Sequence, residues 1–182
     1  MIRKTCTSLL SLALLVLLPA QAVPTPAVEY QVKASLVFNF MHFVEWPEET
    51  FKNHSGDIAV CLIGRDVYGN ALRVLQGEVV QGKKLTVKTY DEWTANLADS
   101  CQVIILSEQG GDNMQEILAF LADKSVLTIG ENPEFLQKGG IIRFVIIDDT
   151  VQFEVNLATA KQARLVISSK LLRLANNVLT FN

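Results

Sequence analysis

What this chain has little of narrows its work before any motif is weighed. Its 182 residues hold three cysteines, two histidines and five prolines. The histidines, His42 and His54, are too few to build a metal cluster once cysteines are paired, so no metal is expected. No Gly-x-Ser-x-Gly elbow, Walker lysine loop, His-Glu-x-x-His or Cys-x-x-Cys occurs. With no paired nucleophile and base in view, no catalytic residue and no cofactor can be named, and an enzyme is the weakest class. Fold analogy alone does not exclude one on a nucleotide-type fold. Positive charge is also scarce: the formal net charge is −3, whereas nucleic acid demands a basic face.

What the chain does have begins at its start. Arg3 and Lys4 precede an apolar run from Leu9 to Leu18, too short to span a bilayer comfortably, and Ala20-Gln21-Ala22 is a small-x-small cleavage site. This arrangement predicts a signal peptide over residues 1–22 and a mature domain over 23–182, exported to the periplasm. A retained signal anchor is the alternative. Cys6 lies ahead of the apolar run, not after it where a lipid-modified cysteine would sit. Loss of Arg3 and Lys4 takes the mature formal charge to −5. A domain of this size buries roughly 70% of its unfolded surface, so one core suffices.

Cys61 and Cys101 both sit in or beside apolar runs. In an oxidising compartment such a pair is a disulfide candidate, with two buried free thiols as the alternative. The bridge reads as structural, with a redox trigger as its variant.

From Glu29 to Trp46 the length is helical, but apolar residues surround the axis, so the helix needs cover on two sides. Pro47 is its expected stop. A rhythm of apolar run, turn and amphipathic segment then predicts an α/β fold: one domain with a mostly parallel sheet, helices on both faces and an antiparallel hairpin near the C-terminus. Strands are expected at Ile58–Ile63, Leu85–Tyr90, Val103–Ser107, Val126–Ile129 and Ile141–Ile147. Helices are expected at Tyr68–Leu75, Asp91–Leu97, Asp112–Ala122, Pro133–Gln137, Leu157–Ala163 and Ser169–Asn176, the last capped by Ser168. Asp148-Asp149-Thr150 turns the hairpin at a presumed sheet edge, where Glu154 is a cross-strand partner for Arg143.

Small molecules bind open parallel sheets beyond the carboxyl ends of the strands. Those ends carry Gly64, Ser107 with Gly110-Gly111-Asp112, and Gly130-Glu131. Gly64, Gly130 and Glu131 from these ends, together with Arg143, are the candidate ligand residues. The Gly-Gly pair is read first as a tight turn and Asp148-Asp149 as turn residues.

The wording of the chain adds a family. Phe43-Val44-Glu45-Trp46-Pro47, Val60-Cys61-Leu62-Ile63-Gly64, Leu127-Thr128-Ile129-Gly130, Gly139-Gly140-Ile141-Ile142-Arg143-Phe144, Phe153-Glu154-Val155-Asn156-Leu157 and Ile167-Ser168-Ser169-Lys170-Leu171-Leu172 stand in order. In these segments the mature chain resembles the YfiR family of exported bacterial proteins. The resemblance implies a periplasmic α/β domain, often a homodimer. Its best-known type binds the periplasmic sensor region of an inner-membrane diguanylate cyclase and represses it, restraining cyclic di-GMP and biofilm. Similar domains serve as sensory modules, so a small-molecule-binding sensor is the second reading. Some members carry two disulfides; only Cys61 and Cys101 match here. Phe40, Phe43 and Trp46 of the first helix, with Ile167, Ser169 and Leu172, are the expected partner or dimer surface, with core packing as the alternative for each.

Overall fold

The computed structural model describes residues 26–51, 56–107 and 113–180. The expected signal peptide, His54 and the Gly110-Gly111-Asp112 turn lie outside them.

Helix α1, Pro26–Phe43, buries Ala34, Val37, Phe40 and Met41 on one side. Tyr30, Leu36, Phe38 and Phe43 flank that stripe, half-buried. The encircling apolar pattern is thus one core stripe with two shoulders. The helix stops three residues short of Trp46, because something other than Pro47 ends it. Gln81 Nε2 donates to the carbonyls of Met41 and Val44, at 2.9 Å each, satisfying groups that a helix end leaves open. Val44–Glu45 then runs extended as β1.

Strand β2, Ile58–Ile63, is buried throughout, as are β5, Val103–Leu106, and β6, Leu127–Gly130. Such strands suit the middle of a parallel sheet covered on both faces. They occupy it, joined by β3, Val79–Val80, β4, Lys83–Tyr90, β7, Ile142–Ile147, β8, Thr150–Asn156, and β10, Asn177–Leu179, in the order β10-β8-β7-β6-β5-β2-β4-β3. Strands β2, β4, β5, β6 and β7 run parallel, while β8 opposes β7 and β3 opposes β4. A separate pair joins β1 to β9, Val166–Ile167, with Val44 opposite Ile167. The mostly parallel α/β fold expected from the sequence is therefore the fold found.

Side chains alternate across each strand. Ile58, Val60 and Leu62 of β2 face α1, with α5, Leu157–Gln162, and α6, Ser169–Leu172, adding to that side. Ala59, Cys61 and Ile63 face the opposite cluster of α3, Leu97–Ser100, and α4, Met114–Leu121. Cys61 and Cys101 meet there in a disulfide, 40 residues apart in sequence. Gln102, 2% exposed, extends the same corner: its Oε1 accepts from Ala59 N at 2.8 Å and its carbonyl accepts from Trp46 Nε1 at 3.3 Å.

Several expectations are corrected. Asp91–Leu97 is irregular, with helix only from Leu97, and Pro133–Gln137 is a series of turns. The segment expected as helix from Tyr68 to Leu75 keeps one turn as α2, Asn70–Arg73. Ser168 does cap the helix after it, accepting from Lys170 N, but α6 ends at Leu172 and the chain becomes β10. That strand pairs parallel with β8, so the hairpin is not the edge of the sheet.

Gly130 and Gly140 clasp the ring of Phe135. A Cβ on Gly130 would lie 2.5 Å from the ring, and one on Gly140 2.2 Å. Phe135 is fully buried between them.

Candidate functional site

The sheet changes direction of growth at β2: the chain passes to β4 on one side and then to β5 on the other. Crevices at such a switch point lie outside the carboxyl ends of the strands. A buried polar cluster stands at that end of the molecule, beside β6 and under the first half of α1.

Lys33 is its centre and is 1% exposed. Its ammonium donates to Glu29 at 2.5 Å and to Glu131 at 2.6 Å, and it lies 4.8 Å from the centre of the Tyr30 ring. Burial acts to lower the pKa of Lys33, but its hydrogen bonds to Glu131 and Glu29 and their negative charge outweigh burial, so it stands raised from 10.5. Tyr68 packs its ring 5.0 Å from that of Tyr30. Its hydroxyl is buried close to Glu131 without a well-formed hydrogen bond among the described residues. Burial first, then the nearby charge of Glu131, pushes Tyr68 well above 10.0.

Beside the cluster is a cavity of about 280 Å³, lined by Lys33, Glu131, Pro133, Arg143 and the segment Phe144 to Ile146. Arg143 is held across the hairpin by Glu154, with Nη2 at 2.5 Å and Nε at 3.1 Å from the same oxygen. Its Nη1 also donates to the Pro133 carbonyl. The cross-strand pair expected from the sequence is present, in register. The site offers a fixed guanidinium, a shared ammonium and a partly exposed carboxylate, which suits polar recognition of a small zwitterion. A larger cavity, about 580 Å³ between α4 and β10, holds none of the expected site residues.

Of the four candidate ligand residues, Glu131 and Arg143 come together here. Gly64 and Gly130 do not line the cavity. Gly64 takes φ +94° and donates its N–H to the Tyr90 carbonyl at 2.8 Å, so that amide is engaged with the end of β4. Gly130 is committed to the Phe135 ring. Lys33 and Tyr68 were missed. The Glu29-x-x-x-Lys33 spacing was a legible helical ion pair; its closure by Glu131, 98 residues away, was not.

The expected partner surface divides in two. Phe40 is fully buried, 5.7 Å from Phe144 and 4.9 Å from Phe153 between ring centres. Trp46 and Ile167 are buried as well. These three are committed to the core by sheet packing and by the β1–β9 pair, which corrects their assignment to a surface. Phe43 and Leu172 are half-buried and Ser169 is exposed. Ser168 N donates to the Phe43 carbonyl at 2.8 Å, which brings the end of α1 beside the start of α6. Asp148 and Asp149 have φ of 49° and 57°, the left-handed pair of a tight hairpin turn.

The chain matches the YfiR/HmsC-like family over residues 30–176. It belongs to that family. Among solved structures, a conserved domain protein from Vibrio cholerae O1 biovar El Tor has a similar fold, with a TM-score of 0.58 and 10% identity. The likeness covers 82% of this chain and 60% of that one. The chain thus spans about three fifths of that protein's length, and the similarity is one of fold alone. No curated protein matches it. No helix among the described residues is long and apolar enough to cross a membrane.

Proposed function

We propose that this chain is a periplasmic regulatory binding protein, exported by cleavage after residue 22. In this reading it represses an inner-membrane diguanylate cyclase by binding that enzyme's periplasmic region. Its membership of the YfiR/HmsC-like family across residues 30–176 carries the reading. The family is regulatory rather than catalytic. The bridge between Cys61 and Cys101 fits an oxidising compartment. The patch of Phe43, Ser169 and Leu172 is proposed as a homodimer contact.

Cross-linking the mature chain in its native host, followed by mass spectrometry, tests the proposal. Recovery of a membrane diguanylate cyclase through its periplasmic segment is the expected result. Recovery of the chain alone contradicts it.

The cavity at Lys33, Glu131 and Arg143 supports a second reading, a small-molecule-binding periplasmic sensor. Titration with amino acids and other small zwitterions, followed by tryptophan fluorescence, separates the two. Saturable binding lost in Glu131→Gln would favour the sensor.

A further inference from the structure

One groove of this fold is apolar, open and rimmed with acid. It lies where the start of α1 leaves the tip of the β7–β8 hairpin uncovered. Val28 is 47% exposed, Val32 40% and Ile146 51%, and all three line one depression of about 270 Å³ together with Val151. Apolar residues scattered singly on a surface are ordinary; a converging group is not. Ile146 pairs with Val151 across the hairpin, so both stand on the α1 side of the sheet, beside the helix.

The groove continues along β7. Ile146 also lines the cavity that holds Lys33, Glu131 and Arg143, so the two depressions meet there and form one trough beside β7, where Arg143 to Ile147 spans roughly 13 Å at the usual strand rise. Its charge is one-sided. Glu29 and Asp149 stand at the hairpin end and Glu131 at the other. Lys33 is shared between Glu29 and Glu131, and Arg143 is held by Glu154. Carboxylate is left in excess along the trough. Such a surface complements an apolar segment flanked by cations.

We propose that this trough docks a segment of the cyclase's periplasmic region in which apolar side chains lie between lysine or arginine residues. The proposal rests on the regulator reading and names the surface and the chemistry of its partner. It places recognition away from the Phe43 patch, leaving that patch for self-association.

The test measures binding of the periplasmic domain of the cross-linked cyclase to the full mature chain and to Ile146→Glu, Val32→Glu and Asp149→Asn. Val74→Glu, at a residue 69% exposed that lines neither depression, is the control. Ile146→Glu and Val32→Glu are expected to weaken binding about tenfold or more, as loss of a central anchor does. Asp149→Asn weakens it a few-fold in low salt and hardly at all in high salt, since the contact is screened. Val74→Glu binds as wild type, and all variants melt together. Wild-type affinity in both Ile146→Glu and Val32→Glu overturns the trough and leaves the regulator reading standing. Failure of the wild-type chain to bind removes that reading and the assigned occupant with it. If light scattering shows that Ile146→Glu abolishes self-association while cyclase binding persists, the trough holds a second copy and the proposal is overturned.

Discussion

Against α1 the sheet is covered by an 18-residue helix and an apolar cluster reaching from Ala34 through Phe153 to Leu171. Against α3 and α4 it meets helices of four and eight residues, a disulfide and the clasped ring of Phe135. One face is held by apolar volume alone, the other by a smaller apolar cluster reinforced by a covalent link and a steric fit. The difference shows how one sheet can be sealed by a long helix on one side and by local fasteners on the other. The bridge lies on the α4 side, so reductant is expected to act first on that face.

The strongest break in this comparison is Phe40→Ala. Removing a fully buried phenylalanine costs between about 3 and 5 kcal/mol, so urea unfolding should shift by that amount equally with and without reductant. A shift below about 1 kcal/mol would show that α1 is not the main seal of its face.

Next is the pair Cys61→Ala and Cys101→Ala made together. Freeing a loop of 40 residues costs at most about 4 kcal/mol in the chain-entropy model. Hydrogen exchange should then rise first in α3, α4 and the start of β5, while α1 stays protected. Uniform loosening of both faces would contradict the division.

Gly140→Ala comes third. Its Cβ would press the Phe135 ring, and such overpacking costs about 1 to 3 kcal/mol. Phe135→Leu in the same chain should recover part of the loss, which a double-mutant cycle measures. Additive losses would mean that the ring and the glycine do not share one constraint.

The smallest effect concerns the polar cluster at the α1 face. Lys33 and Tyr68 both have folded pKa values raised from 10.5 and 10.0. A group so raised contributes stability that is whole below its unfolded pKa and lost as pH rises through the folded one. Stability should therefore decline above about pH 10, and Tyr68→Phe should flatten the decline. An identical alkaline profile in Tyr68→Phe would remove Tyr68 from the account.

The same comparison explains what was legible in the sequence. Strands such as Ile58–Ile63 and Val103–Leu106 were readable because burial on both faces writes an unbroken apolar run. The hairpin was readable from its Asp148-Asp149 turn between alternating strands. The short strands β1, β3 and β10 were not, since two or three residues are too few to show a period. The end of α1 was misplaced because its cap is Gln81, some 40 residues away in sequence. The site was legible only in pieces. Glu131 was found from its place at a strand end and Arg143 as a cation beside Glu154, whereas Gly130 looked like a ligand loop and serves Phe135. Phe40 and Trp46 looked like interface anchors because aromatic side chains suit both roles, and only the packed sheet separates them.

The central claim is regulation of a cyclase from outside the inner membrane. The most direct measurement is cyclic di-GMP in the native host with this chain deleted and then restored as residues 1–182. Deletion is expected to raise cyclic di-GMP, and restored wild-type protein to reverse the rise. An unchanged level in the deleted strain would contradict it.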